Sequence, residues 1–476
     1  MGQARVQIQI LPDHVFPEGT QLIMSRSLAS ILNIRSNPFL ITFGAASSVA
    51  RIAASRSGGN LIRVSSTLAA KLNMHSVPKI HARFDPRTFR LRIGPLLGIL
   101  INPQPDATEE LPFGAMTKFM EECIFAGHGA GLQVFVFSPD SLDLERKSVQ
   151  GWIRNKDRWI SVRLPLPDVV YNRLTSRKVE QQESVQTMLS RMKRIYHIPV
   201  FNEQFLNKIE VYDILVKDEQ IRRMLPETCR FHPKSVKEML LRHPILYLKP
   251  NNGSLGSGIC RVSRGSGKWI CQSASQSGII TRETKTLTEM VHILRRRVGK
   301  QDYLLQQGLQ LAKYDNRQVD FRVLVQKDGK GEWKITSAVA RIANDSDIVS
   351  NLARGATIRK ASEVLPLLGA ARKPALNEIR RIAVDIATTF ERIAGGHYAE
   401  LGIDLAVDIH GNVWLIEINS KPSKTDDTVL NPSLSTRPSV RRLLEYVLFL
   451  CGMVTRNHSP PRSPKRPTKA QRRRPT

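Results

Sequence analysis

Two rhythms of apolar and polar residues divide the chain. In MSRSLASILNIRSNP (Met24 to Pro38), Leu28, Ala29 and Leu32 fall at helical spacing behind a serine, and VSSTLAAKLNMHSVP (Val64 to Pro78) repeats the string at an offset of 40. Seven of the fifteen positions are identical, among them Leu28/Leu68, Ala29/Ala69, Leu32/Leu72, Asn33/Asn73 and Pro38/Pro78. Each copy predicts a short helix, then a turn and strands, FLITFG in one and FRLRIG in the other. The pattern implies a duplicated β-rich domain over residues 1–95 whose halves bury one common core. It holds no acid–base constellation, so its expected role is structural or partner binding.

Past Leu96 strands alternate with helices. GPLLGILI and LQVFVFSP read as strands around an amphipathic helix at Met116 to Ala126. ISVRLPLPDVVYNRL adds a strand pair and VQTMLSRMKRIY a helix. This predicts a parallel α/β unit over residues 96–202. Residues 203–455 read as mixed α+β. EVYDILVKDEQIRRML is one helix, HPILYLKP a strand, TLTEMVHILRRRVG a helix and YLLQQGL a strand. QVDFRVLVQKDGKGEWKITSAVARIA is a hairpin turned by DGKG. LNEIRRIAVDIATTFERIAGG is a long helix that stops at Gly395 and Gly396. Two apolar strands then flank His410, Gly411 and Asn412.

With 476 residues, the chain has room for roughly three domains. Its 41% hydrophobic and 24% charged residues are ordinary for globular proteins, but its net charge of +29 is not. Residues 456–476 hold eight Lys or Arg, five prolines and no acid, which predicts a disordered basic tail. About +21 remains on the body, so a polyanionic partner stands beside a merely solvated basic surface as an explanation. Aromatic-rich nucleic-acid motifs are absent, and sequence-specific nucleic-acid binding is not expected. None of the five cysteines forms a C-x-x-C pair, which fits a reducing compartment and provides no zinc site. The N-terminal MGQARVQIQILPD lacks an apolar signal core, and YVLFLCGMV is too short to span a bilayer. The expectation is a soluble, cytoplasmic protein without a transmembrane segment.

Two stretches carry chemistry. In YLKPNNGSLGSGICRV, Lys249 ends a short strand beside a loop of three glycines and two serines. Such a loop offers backbone N–H groups to a phosphate and the lysine adds charge, although a hairpin turn with a surface lysine has the same look. In GIDLAVDIHGNVWLIEINSKPS, strict alternation puts Val413, Leu415, Glu417 and Asn419 on one face and Trp414, Ile416 and Ile418 on the other. Pairing about the turn brings Asp404 opposite residues 417–419. Unpaired carboxylates there would cost several kcal/mol, and Mg²⁺ would resolve that cost. The alternative is a hairpin edge with exposed acids. Together the two stretches suit an ATP-dependent enzyme. No G-x-x-x-x-G-K-S/T, H-R-D or D-F-G occurs, which excludes a P-loop protein and a protein kinase.

The order of these pieces from residue 205 to 455 resembles the ATP-grasp fold: the lysine of YLKP, the loop GSLGSG, the hinge LLQQGL, the D-x-R of VDFRV, SNLARG, GIDL and the E-x-N of EINSKP. Over the whole length, with LPET and SNLARG, the chain is similar to the YheC/YheD group of endospore coat-associated ATP-grasp proteins of spore-forming bacteria. The resemblance implies an α+β ATP-grasp domain of two gripping subdomains. It would follow a pre-ATP-grasp-like α/β unit and the duplicated β-rich domain.

The resemblance also assigns roles. Lys249 would reach the nucleotide phosphates, with Gly253, Ser254, Gly256, Ser257 and Gly258 in the loop closing over them. Gln306, Gln307, Gly308 and Leu309 would form the hinge that reads adenine, and Asp320, Ser350 and Asn351 would contact nucleotide. Arg322, Arg341 and Arg354 would be catalytic, and Asp404, Glu417 and Asn419 would bind Mg²⁺. The family's N-x-x-P-G departs here to Asn419, Ser420, Lys421, Pro422 and Ser423, which points to a different acceptor pocket.

The implied function is an ATP- and Mg²⁺-dependent carboxylate–amine ligase acting through an acyl-phosphate. Its substrates would be a carboxylate and an amine, with an acidic peptide or polymer as a candidate acceptor and spore coat proteins as partners. Its location would be the mother-cell cytoplasm and the spore coat. A coat scaffold that keeps an ATP-binding core, and a basic nucleic-acid-binding protein, are the alternatives.

Overall fold

The computed structural model describes residues 2–35, 37–55, 58–253, 257–275, 278–343, 356–424 and 436–453. The basic tail at 456–476 lies outside the described residues. Residues 2–94 form an eight-stranded sheet with Gly2–Leu11 near its centre. The two similar strings build helices Arg26–Leu32 and Ser66–Lys71 in the same way. Ser25 and Ser65 cap them by accepting from the backbone N–H of Leu28 and Leu68. Asn33 and Asn73 then leave the helical region at φ 58° and 47°, which asparagine tolerates better than most residues. The strands Phe39–Phe43 and Arg90–Gly94 lie side by side in parallel. This sheet shares its core with the next unit: Phe43, Phe84 and Ile93 pack in one cluster with Phe135, Leu164 and Met188.

Residues 96–201 form a second sheet. Its parallel strands run in the order Gln133–Phe137, Leu96–Leu100, Val169–Asn172, Val200–Phe201. Antiparallel strands Ser148–Asn155 and Arg158–Pro165 extend it. The central strands are buried along their whole length, as expected where both faces are covered. Helix Thr117–Ala130 covers one face together with Pro438–Leu450, the last helix of the described chain. Val440, Leu443 and Val447 sit in the same core as Leu97, Met120 and Ile124. The chain's last apolar stripe therefore fills the core of the middle unit.

The remaining residues form two antiparallel sheets. The first runs Thr228–Arg230, Tyr303–Gln307, Ile245–Pro250, Cys260–Gly265, Lys268–Ser275, Gly278–Thr284. The second runs Thr357–Lys360, Trp333–Ile342, Arg317–Lys327, Glu400–Val407, Val413–Asn419. Helix Leu376–Ala394 packs its apolar stripe, including Ile379, Ala383, Ile386 and Phe390, on one face of the second sheet. It ends where Gly395 turns left-handed at φ 69°. The single helix expected from EVYDILVKDEQIRRML is two, Lys208–Leu215 and Glu219–Arg222. The side chain of Asp218 accepts from Gln220 N and Ile221 N and starts the second afresh.

Two of the five cysteines are bonded to each other. Cys260 and Cys271 lie on neighbouring antiparallel strands with Cα atoms 6.4 Å apart and are joined in a disulfide. Cys123, Cys229 and Cys451 are free. Among the described residues no helix is long and apolar enough to cross a membrane.

Candidate active site

Alternation along the second sheet separates two kinds of surface. Val319, Phe321, Val323, Leu401, Ile403 and Leu405 face the long helix and fill its core. The residues between them face the other way, and there charge runs across four neighbouring strands. Asp320 pairs with Arg341, Arg322 with Asp404, Asp404 with Glu417, and Gly402 with Asn419. Arg341 Nε donates to Asp320 Oδ1 at 2.6 Å, and its Nη2 to Asp404 Oδ2 at 2.9 Å. Arg322 grips the same carboxylate through Nε, and through Nη2 at 2.9 Å. Gly402 leaves room for this. A Cβ there would stand 3.4 Å from Arg322 Cδ and 2.9 Å from Pro422 Cβ.

Asp404 is only 4% exposed. Burial pushes its pKa up, but Arg322 and Arg341 outweigh burial and hold it below the usual range. Burial likewise pulls Arg341 down, and Asp404 and Asp320 more than restore it. The cost of a buried, unpaired carboxylate, which pointed to a metal from sequence, is therefore met here by guanidinium groups. Glu417 is also paired, 3.1 Å from Lys208 Nζ.

Strict alternation on the last strand does not hold. Asp404 faces Glu417 while Leu405 faces Leu415, so Ile416 is an extra residue, a β-bulge. Val413 and Leu415 face the core before it and Ile418 after it. The bulge moves Glu417 and Asn419 off the face of Val413 and Leu415 and onto that of Asp404. One inserted residue thus turns an ordinary apolar strand into one that presents polar oxygens.

Lys249 stands at the end of its strand on the first sheet and donates to Gln306 Oε1 at 2.5 Å. Burial lowers its pKa to about 8 against the opposing pull of Glu417. Lys208 closes the gap between the sheets, because its Nζ donates to the Gly253 carbonyl at 2.6 Å while it pairs with Glu417. Lys208, Tyr212, Lys249, Gln306, Ile416 and Glu417 help line one cleft between the two sheets. Sequence reasoning missed Lys208. The available signal was a cation in the first turn of a helix capped by Asn207, where the helix dipole disfavours it.

The loop glycines have packing duties as well. Gly258 has φ 77°, and a Cβ there would lie 2.8 Å from Pro250 Cγ. Ser257 is exposed. In the hinge, Gln307 N donates to Glu227 O at 2.8 Å and Gly308 N to Ile245 O at 2.7 Å. Gln306 Nε2 donates to Thr228 Oγ1 at 3.1 Å. Two hinge amides expected to read adenine are therefore engaged within the protein, and the half-buried Leu309 is the next along.

The structure thus brings together Lys249, Gly253, Gln306, Asp320, Arg322, Arg341, Asp404, Glu417 and Asn419 on facing sheets. Ser254, Gly256, Ser350, Asn351 and Arg354 lie outside the described residues. Among the described residues no three His, Cys, Asp or Glu side chains form a ready metal cage. The hard oxygen donors at hand are Asp404, Glu417 and the Asn419 amide, a chemistry that fits Mg²⁺.

Two antiparallel sheets closing on a lysine, a glycine loop and a charged row define an ATP-grasp protein. The family described as YheC/D-like ATP-grasp matches residues 197–450, more than half of the chain, and the chain belongs to it. It is 29% identical over 371 residues to the endospore coat-associated protein YheD of Bacillus subtilis, covering 76% of this chain and 80% of YheD. With YheC of the same organism it shares 22% over 304 residues, covering 63% and 81%. Among solved structures, D-alanyl-alanine synthetase A from Vibrio cholerae matches with a TM-score of 0.45 at 12% identity, covering 75% of this chain and 98% of that one.

Proposed function

We propose that this protein is an ATP- and Mg²⁺-dependent ligase that joins a carboxylate to an amine through an acyl-phosphate, in association with the endospore coat. The observation that carries the reading is the row Arg341, Asp320, Arg322, Asp404 and Glu417, whose last member, Glu417, shares one cleft with Lys249 and Lys208. Phosphoryl transfer asks a protein mainly for positioning and charge neutralisation, and this row offers both. Lys249 and Lys208 hold the phosphates beside the glycine loop. Glu417 and Asn419, with Asp404 behind them, would hold Mg²⁺, which when bound supplies charge neutralisation on the phosphate oxygens. Arg322 and Arg341 are fixed by Asp404 and Asp320, so they need no reorganisation as charge develops.

An oxygen of the acceptor carboxylate attacks the γ-phosphorus, the bond to the β-bridging oxygen breaks, and ADP leaves. The amine nitrogen then bonds to the acyl carbon as the carbon–oxygen bond to phosphate breaks. Phosphate departs with the electron pair and the amine proton passes to solvent. No protein nucleophile takes part. The coat association is carried over from the similarity to YheD and YheC.

The test is to offer the full chain Mg-ATP with carboxylate–amine pairs, including spore extracts. ADP is read, and the acyl-phosphate is trapped with hydroxylamine as a hydroxamate. ADP and hydroxamate rising together support the reading. Mg-ATP at 100 times its dissociation constant should also add about 2.7 kcal/mol of stability. A chain stabilised by Mg-ATP that never yields ADP or hydroxamate is a coat scaffold with a nucleotide-binding core.

A further inference from the structure

The middle unit carries a second feature that the nucleotide cleft does not use. Its parallel sheet reverses direction of build between Leu96–Leu100 and Val169–Asn172: one neighbour is added outside the first strand, the other outside the second. In open α/β sheets the crevice beyond the carboxyl ends of two such strands is where ligands bind. Asn102 and Arg173 stand there. Asn102 Oδ1 accepts from Thr175 N at 2.7 Å and from Ser176 N at 3.2 Å, which holds the loop after Arg173.

Arg173 is only 4% exposed, yet its Nε and Nη1 have no hydrogen-bond partner. The nearest acid is Glu400, with an oxygen 3.9 Å from Nη1. Glu400 is already served: Tyr171 OH donates to it at 2.7 Å, Gln326 Nε2 at 2.9 Å, and Lys424 also pairs with it. The neighbouring Lys421 pairs with Glu180, and Arg177 donates to the Leu206 carbonyl at 2.8 Å. Arg173 and Lys424 thus share Glu400, Lys421 takes Glu180, and Arg177 also feels Glu210 and Glu417. A buried guanidinium with two nitrogens left without hydrogen bonds costs free energy that an anion offsets.

The crevice adjoins the charged row. Glu400 and Asp404 lie on one face of one strand, four residues and therefore ~13 Å apart. Lys421, two residues past Asn419, donates to Asn172 Oδ1 at 2.9 Å, directly beside Arg173.

We propose that Arg173 forms an anion subsite of the acceptor, holding a carboxylate other than the one that is phosphorylated. The acceptor is then an acidic peptide, whose carboxylates reach Arg173 and the Arg322–Arg341 end together. This rests on the ligase reading above, and Arg173 acts in it as a specificity-determining residue.

The experiment uses the full chain with a non-hydrolysable ATP analogue and Mg²⁺ at physiological salt. Pentaglutamate is titrated against pentaglutamine by calorimetry. Wild type should bind pentaglutamate at least tenfold more tightly. Arg173→Gln should lose that preference, and Arg173→Lys, which keeps the charge beside Glu400, should lose most of it. Affinity for the analogue should be unchanged in both. Equal affinities of wild type for the two peptides overturn the proposal, as does a folded Arg173 variant that keeps the wild-type preference. If neither variant folds, the wild-type comparison decides. In a parallel assay with Mg-ATP in place of the analogue, Arg173-dependent peptide binding without any ADP release keeps the subsite and removes the ligase reading. ADP release with no discrimination between the peptides does the reverse.

Discussion

Lys208 Nζ lies 3.1 Å from Glu417 Oε1 and so ties the first helix of the ATP-grasp half to the last strand of its second sheet. The same ammonium donates to the Gly253 carbonyl in the glycine loop. A single cation therefore occupies the point where phosphate, loop and carboxylate would meet. In the absence of nucleotide it neutralises Glu417.

Lys208→Met should weaken Mg-ATP binding by about tenfold or more, since a charge-assisted contact is worth roughly 1.5–3 kcal/mol. Stability should change by less than about 1 kcal/mol, because both partners are partly exposed, at 20% and 32%. Nucleotide titration beside urea unfolding checks both. A folded variant with wild-type affinity removes Lys208 from the site.

Nucleotide affinity should fall as pH rises through about 8, where burial places the Lys249 ammonium. Below that pH the lysine is charged and binds phosphate. Above it the free protein must take up a proton to bind, which costs about tenfold in affinity per pH unit until the bound-state pKa is reached. Lys421 is lowered to the same region by burial, so the source must be separated. Lys249→Arg keeps its charge and should flatten the profile. A profile just as steep in that variant assigns the titration elsewhere.

The candidate glycine loop, hinge and E-x-N strand each occupy a few consecutive residues, so local pattern is enough to nominate them. What stayed hidden depends on pairing. The bulge at Ile416 arises only when the strand is laid against Glu400–Val407, so alternation read along one strand put Glu417 on the wrong face. Asp404 looked unpaired because Arg322 and Arg341 lie 82 and 63 residues away in sequence. Helix Pro438–Leu450 has a clear apolar stripe, but a stripe does not say which core it fills. The break before Glu219 was within reach, since Asp218 is a strong N-cap residue.

Gly308→Ala should disturb the hinge. An added Cβ would fall 2.4 Å from Ile245 Cγ2 and 2.8 Å from the Ile245 carbonyl oxygen. The side chain can be trimmed by Ile245→Ala, but the carbonyl cannot, and it accepts the Gly308 N–H. The single variant should lose about 1–3 kcal/mol of stability, as overpacked sites do, and bind nucleotide more weakly. Adding Ile245→Ala should restore little of either. Full recovery in the double variant would place the constraint in the side chain rather than in the backbone approach.

The last prediction sets two carboxylates of the charged row against each other. Asp404 is buried between Arg322 and Arg341, whereas Glu417 is half-exposed and pairs with Lys208. Asp404→Asn removes the carboxylate that the buried Arg322 and Arg341 share. Removing one member of such a network costs about 3–5 kcal/mol. Glu417→Gln keeps the shape, loses one charge near solvent, and should leave apo stability within about 1 kcal/mol. If both serve only the fold, activity should track stability, and Glu417→Gln should be nearly silent. If Glu417 faces the metal and phosphates, its variant should raise the Mg²⁺ requirement and slow ADP formation by at least a hundredfold in a protein as stable as wild type. Urea unfolding with ADP release across a magnesium series separates the cases. A Glu417→Gln chain with normal turnover and magnesium dependence would remove the carboxylate site, and with it the strongest support for phosphoryl transfer here.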